Sequence, residues 1–164
     1  MTRFNSDLAL GKQSEIDSHK DLQAIFGCKL IHDEYEFAHF DFFNDNIFVE
    51  LKTRPNTEYI NGKFIHTKDK DKPEETKELN TLLFDCPKMR FGFQYNLKMK
   101  QQKKEHKKYY IVWKCSNKYF YWEINWDKKE YYTEATEQDY SKGCREARDV
   151  CNVYVENVIE VQFI

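Results

Sequence analysis

The chain has 164 residues, the size of one domain, and its 26 basic and 28 acidic residues leave a formal net charge of −2. Aromatic residues reach 16%, with only 5 Gly and 3 Pro, which excludes collagen-like and largely disordered chains. No apolar run approaches the ~20 residues of a membrane span, so the chain reads as soluble. The balanced charge also argues against a partner gripped by bulk positive charge, so any polyanion has to be held locally.

A helical pattern runs from Ser6 to Phe26, with Gly27 as its stop and Ser14-Glu15-Ile16-Asp17 matching a capping box. Glu15, His19, Leu22 and Phe26 form a stripe that points to the core. Residues 36–54 read as a β-hairpin around Asn44-Asp45-Asn46, and Asn61-Gly62 marks a second hairpin with a type I′ turn. The mixed-charge stretch from about 66 to 78 lacks apolar anchors and is expected to be a mobile exposed loop.

Thr81–Phe84 reads as a short buried strand, and Pro87 opens a second helix that runs to about Lys100. Strands follow at Tyr109–Cys115 and Tyr119–Ile124, joined by Ser116-Asn117-Lys118. Residues 134–149 are expected to be irregular or helical, and Val153–Ile164 to be strand-rich. The fold class expected is therefore α/β with a mixed sheet, in the order helix, hairpin, strand, helix, strands, with extra C-terminal strands. No repeat appears, so residues 1–164 are expected to form a single domain.

Five scattered cysteines without a CxxC pair indicate neither a zinc knuckle nor a disulfide framework, and read as reduced thiols. The N-terminus lacks the layout of a signal peptide. Together these predict an intracellular protein, cytoplasmic or nuclear.

The hairpin at 37–54 carries charges that a buried sheet ordinarily avoids: Asp41, Glu50 and Lys52. Alternation puts Glu50 and Lys52 on one face and Val49 and Leu51 on the other. If the loop is the two-residue Asp45-Asn46, Asp41 lies opposite Glu50; an odd loop would turn it away. With the even loop, two carboxylates and an ammonium cluster, and oxygen ligands of this kind suit Mg²⁺ or Mn²⁺. Glu-x-Lys occurs three times in the chain, but only Glu50-Leu51-Lys52 sits within apolar strand residues. The competing reading is a solvent-facing sheet with cross-strand ion pairs.

Phe40-Asp41 followed by Glu50-Leu51-Lys52, behind a helix carrying Gly11-Lys12-Gln13-Ser14-Glu15, resembles the PD-(D/E)XK nuclease superfamily, which includes restriction endonucleases, phage exonucleases and Holliday-junction resolvases. The resemblance extends over roughly residues 5 to 125, with Phe40 in place of the motif's proline. It implies a restriction endonuclease-like core of helix, three strands, helix and strand. Thr81–Phe84 would be the third strand, Pro87–Lys100 the second helix and Tyr109–Cys115 the fourth strand. By the same resemblance Asp41, Glu50 and Glu15 would bind Mg²⁺ or Mn²⁺, and Lys52 would orient or help deprotonate the attacking water. Gln94 would lie near the site.

Arg54 shares the face of Glu50 and Lys52 and could meet a phosphate, the alternative being a surface ion pair. Lys98, Lys100, Lys103, Lys104, Lys107 and Lys108 form a basic run, readable as a nucleic-acid contact or as dipole complementarity at a helix end. Tyr119, Tyr121 and Trp122 read first as cross-strand packing and second as base-stacking residues. His39 has the parity to lie near Lys52. The function expected is a metal-dependent DNA nuclease, an endonuclease, with RNA and a homodimer left open. A non-catalytic nucleic-acid-binding protein on the same scaffold is the alternative, and a structural interaction domain a third. Richness in Lys, Asn, Tyr and Phe hints at an AT-rich, viral or phage-like source.

Overall fold

In a computed structural model that describes residues 3–35, 39–137 and 147–162, the first helix, α1, spans Arg3–Phe26. Its stripe turns inward as expected, with Glu15, Ser18 and Leu22 buried and Ile16 left in solvent. Gly27 ends it at φ 64°, and Cys28 N–H donates to Gln23 O at 3.2 Å, the six-to-one bond of a Schellman cap. A Cβ at Gly27 would meet no atom, so only backbone strain opposes one. Gly27→Ala is therefore expected to cost about 1–2 kcal/mol, read as a lower urea midpoint with an unchanged m-value. The capping-box sequence at Ser14 lies mid-helix instead, and Ser14 Oγ hydrogen-bonds Thr53 Oγ1.

The main sheet has six strands: β1 (Ile31–His32), β2 (Phe42–Phe43), β3 (Ile47–Arg54), β8 (Lys108–Cys115), β9 (Tyr119–Glu123) and β12 (Ile159–Glu160), adjacent in that order. All neighbours are antiparallel except β3 and β8, which run parallel from Ile47↔Lys108 to Arg54↔Cys115. Between β3 and β8 the chain builds one small sheet, the first strand of another and a helix. One sheet joins β4 (Thr57–Ile60), β5 (Lys63–His66) and β6 (Lys77–Leu79). Its Asn61-Gly62 turn has φ 52° and 77°, as a type I′ turn requires. The other pairs β7 (Thr81–Asp85) with β11 (Ala147–Tyr154), and β11 with β10 (Tyr131–Glu137). The second helix, α2, spans Pro87–Gln101.

Apolar residues fill both sides of the main sheet. Leu22 and Phe26 of α1 cover Phe42, Val49, Leu51 and Val112 on one face. On the other, Ile111, Trp113, Phe120 and Trp122 pack with Phe84, Val153 and Met89 of α2. Trp113 Nε1 donates to Leu83 O at 3.1 Å, tying the main sheet to β7. Tyr119 and Trp122 are buried, in keeping with a packing role. No helix among the described residues is long and apolar enough to cross a membrane.

Three expectations about these elements change. Thr81–Phe84 is not a strand of the main sheet, because it pairs with β11; the strand beside β2 is instead Ile31–His32, too short to carry a periodicity. The charged stretch at 66–78 holds a 3₁₀ turn at Pro73–Glu75 and the start of β6, which pairs with β5 and is anchored by Leu79, just past the stretch, packed against the core. Within 134–149 the described residues belong to paired strands, with 138–146 outside the described residues. Cys86 and Cys151, far apart in sequence, bring their sulfurs to 2.9 Å as free thiols, because β7 and β11 are neighbours.

Candidate active site

The turn between β2 and β3 sets the geometry. Asn44 Oδ1 accepts from Asn46 N–H (2.8 Å) and Ile47 N–H (2.9 Å), while Asn44 N–H donates to Ile47 O (3.0 Å). The loop is thus the two-residue Asp45-Asn46, and the pairs Phe43↔Phe48 and Phe42↔Val49 bring Asp41 level with Glu50. Strand pairing stops at Phe42. Beyond it Leu51 N–H is taken by Asp41 Oδ2 at 2.8 Å, so the carboxylate substitutes for a missing strand neighbour. Val49 and Leu51 pack under α1, as alternation requires, and leave Glu50 to the other side.

Glu50 is 4% exposed, and its two oxygens meet two ammonium groups: Oε1 lies 3.1 Å from Lys52 Nζ and Oε2 3.2 Å from Lys88 Nζ. The Lys88 pairing lacks hydrogen-bond geometry, so Oε2 is a buried oxygen without a hydrogen bond. Burial raises the Glu50 pKa, Lys52 and Lys88 oppose that, and Asp41 adds to it. Burial would lower Lys52, but Glu50, Asp85 and Asp41 together hold it above its usual value, so it is an ammonium at neutral pH. Asp41 is pushed up to about 7, first by burial and then by the hydrogen bond and charge of Glu15, against Leu51 N–H and Lys52. Near neutrality Asp41 therefore keeps a proton part of the time.

Glu15 is anchored in turn. Its Oε2 lies 2.8 Å from His32 Nε2 and 3.6 Å from Lys12 Nζ, and the His32 ring stacks on Phe42 at 4.8 Å. Arg54, its pKa lowered by burial, donates through Nη1 to Thr53 O at 3.0 Å. Glu15, Asp41, Glu50, Lys52 and Arg54 all line one cleft of about 670 Å³, with Gln13 and Lys114 beside them.

Other expected residues lie elsewhere. Gln94 is six positions along α2 from Lys88, a rotation of about 600°, and it is exposed in a different cavity. The basic run sits at the opposite end of β3. Lys108 pairs with Ile47 whereas Lys52 pairs with Trp113, about 16 Å further along. Lys103 and Lys104 are exposed there. Lys107 is engaged: its Nζ donates to Asn44 O (2.9 Å) and lies 4.6 Å from the Phe48 ring centroid. Lys108 Nζ is 3.9 Å from Glu123. His39 stacks on Phe91 at 4.2 Å and its carbonyl accepts from Lys88, so it approaches Lys88 and not Lys52.

Sequence reasoning missed His32 and Lys88. Nothing in its spacing marks His32. Lys88 did carry a signal, since a cation in the first turn of a helix opposes the macrodipole and calls for a local anion. Among the described residues, no three His, Cys, Asp or Glu side chains are already gathered as a metal-binding group. No protein-family model matches the chain, and neither a curated protein nor a solved structure is found that resembles it.

Proposed function

We propose that the chain is a metal-dependent nuclease of the PD-(D/E)XK kind, an endonuclease that hydrolyses phosphodiester bonds in DNA. The observation that carries this reading is the convergence of Asp41, Glu50, Lys52 and Glu15 on one cleft, with a Glu50 oxygen buried without a hydrogen bond. Supporting it is the order of α1, the antiparallel strands β1, β2 and β3, then α2 and a parallel β8, which matches the core order that the resemblance implies once β4–β7 are taken as an insertion.

The donor set fits a hard divalent cation. Asp41, Glu50 and Glu15 offer carboxylate oxygens, and burial, the main cause of the raised Asp41 and Glu50 pKa values, is a cost that a bound cation would offset. Bound Mg²⁺ or Mn²⁺ would neutralise charge developing on phosphate oxygens and acidify bound water. Lys52, held as an ammonium, places positive charge against a phosphate oxygen or orients water; in that state it has no lone pair with which to act as a base. Lys88 compensates the second oxygen of Glu50. Arg54 is placed to meet a further phosphate.

A non-catalytic nucleic-acid-binding role is the second reading, favoured by one fact: Glu50 already has two lysine partners and needs no metal to be charge-compensated. The two readings separate on incubating purified protein with plasmid, single-stranded and branched DNA and with RNA, in Mg²⁺, Mn²⁺ or EDTA. Cleavage with either metal and none with EDTA is expected. Binding without cleavage would replace the nuclease reading with the second.

A further inference from the structure

A second cavity, of about 480 Å³, lies between α2 and the β10–β11 strands. Its walls are aromatic. Phe93 stands on α2 with 49% of its surface exposed, its ring centroid 6.2 Å from that of Trp126 at an interplanar angle of 60°. Trp126 is held firmly: Nε1 donates to Met89 O at 3.2 Å, and its ring lies where a Cβ on Gly92 would come within 3.0 Å. Tyr131 is a third aromatic lining residue.

Of the polar side chains in this cavity, Glu134 accepts from Asn152 Nδ2 at 3.1 Å, while three others are unused by the fold. Arg90, Gln94 and Asp149 are exposed, and their side chains make no hydrogen bond or ion pair among the described residues. Two carboxylates, Asp149 and Glu134, outweigh the one guanidinium, so the cavity does not select an anion. Gln94 offers both a donor and an acceptor, Arg90 donors and Asp149 an acceptor. A planar, uncharged ring with donors and acceptors on its edge satisfies all of these while its faces meet aromatic walls.

We propose that this cavity binds an unpaired nucleobase, either of a free nucleoside or of a single strand. Phe93 and Trp126 supply the apolar faces, and Arg90, Gln94 and Asp149 read the edge. Arg90 and Met89 line this cavity from the first turn of α2, while the neighbouring Lys88 reaches Glu50 in the acidic cleft. As a base subsite of that cleft the cavity rests on the nuclease reading; as a base-binding site it does not.

The test is calorimetric titration of the full chain in EDTA with single nucleosides and with a short single-stranded DNA, for the wild type and for Phe93→Ala, Gln94→Ala and Asp41→Asn. Phe93 is half exposed, so its removal leaves the core intact. Loss of one stacking platform is expected to weaken binding about tenfold in Phe93→Ala, with a smaller loss in Gln94→Ala and none in Asp41→Asn. Binding of nucleosides alone assigns the site to free nucleosides, and tighter binding of the strand assigns it to a strand. Absence of binding by both, or affinity unchanged in Phe93→Ala, overturns the proposal. Phe93-dependent binding by a wild type that never cleaves would keep this inference and remove the nuclease.

Discussion

Lys52→Ala is expected to cut metal-dependent hydrolysis by about 10²-fold or more, on the scale of one positioned catalytic group, while changing DNA affinity far less. The ammonium is 3.1 Å from Glu50 and lies in the cleft, about 16 Å along β3 from the level of Lys108, so on the nuclease reading its loss removes charge from the reacting phosphate and not from the basic run. The fold should tolerate the change, because Lys88 remains beside the buried Glu50 carboxylate. Lys103→Ala with Lys104→Ala should do the opposite if those side chains contact phosphates: weaker binding, a flatter salt dependence and an unaltered single-turnover rate at saturation. Lys107 and Lys108 are poorer choices for that comparison, since one packs on Phe48 and the other neighbours Glu123. Equal single-turnover rates for wild type and Lys52→Ala would remove Lys52 from the chemistry.

Without divalent metal, the protein should lose stability as pH rises from about 4 to about 7. Asp41 has a folded pKa of about 7 against an ordinary 3.8, so across that window the folded state keeps a proton that the unfolded chain releases. The slope of unfolding free energy with pH is then negative. The contribution is complete below the unfolded pKa and gone once pH passes the folded one. Glu50, also raised, acts in the same direction. Asp41→Asn preserves an acceptor for Leu51 N–H and cannot ionise. It should flatten this slope and stabilise the metal-free protein near pH 8 by about 1–3 kcal/mol, the scale for relieving a poorly compensated buried polar group. Mn²⁺ should raise the melting temperature of the wild type more at pH 8 than at pH 5, because at pH 5 it competes with the proton on Asp41, and should have little effect on Asp41→Asn. Urea midpoints at pH 5 and pH 8, with Mn²⁺ and with EDTA, decide it; parallel curves for wild type and Asp41→Asn would sink the linkage.

Features written in adjacent residues were legible in the sequence. Gly27 marks the end of α1, Asn61-Gly62 a turn with two positive φ values, and Pro87 the start of α2, each through a local backbone constraint. The even loop at Asp45-Asn46 belongs with them, and from it the opposition of Asp41 and Glu50 follows by parity alone. Long-range pairing was not legible. Nothing local sends Thr81–Asp85 to β11 and away from β3, and the same pairing brings Cys86 to Cys151. Lys88 and Gln94 show the limit most sharply: both lie on one correctly expected helix, but only its orientation against the sheet decides that the first meets Glu50 and the second does not.

Every residue pair in the parallel ladder of β3 and β8 is 61 positions apart in sequence. The strand that carries Glu50 and Lys52 therefore finds its inner neighbour only after four other strands and a whole helix have been laid down. Closing so long a loop precedes any reward from the contacts it makes, which places the ladder late in folding and slows the overall rate. Until β8 arrives, β3 presents a bare edge flanked by Phe42, Phe43 and Phe48, a surface open to association between chains at high concentration. Two of its three charges, Glu50 and Lys52, stand inside that edge and act as gatekeepers against such pairing, whatever chemistry they serve.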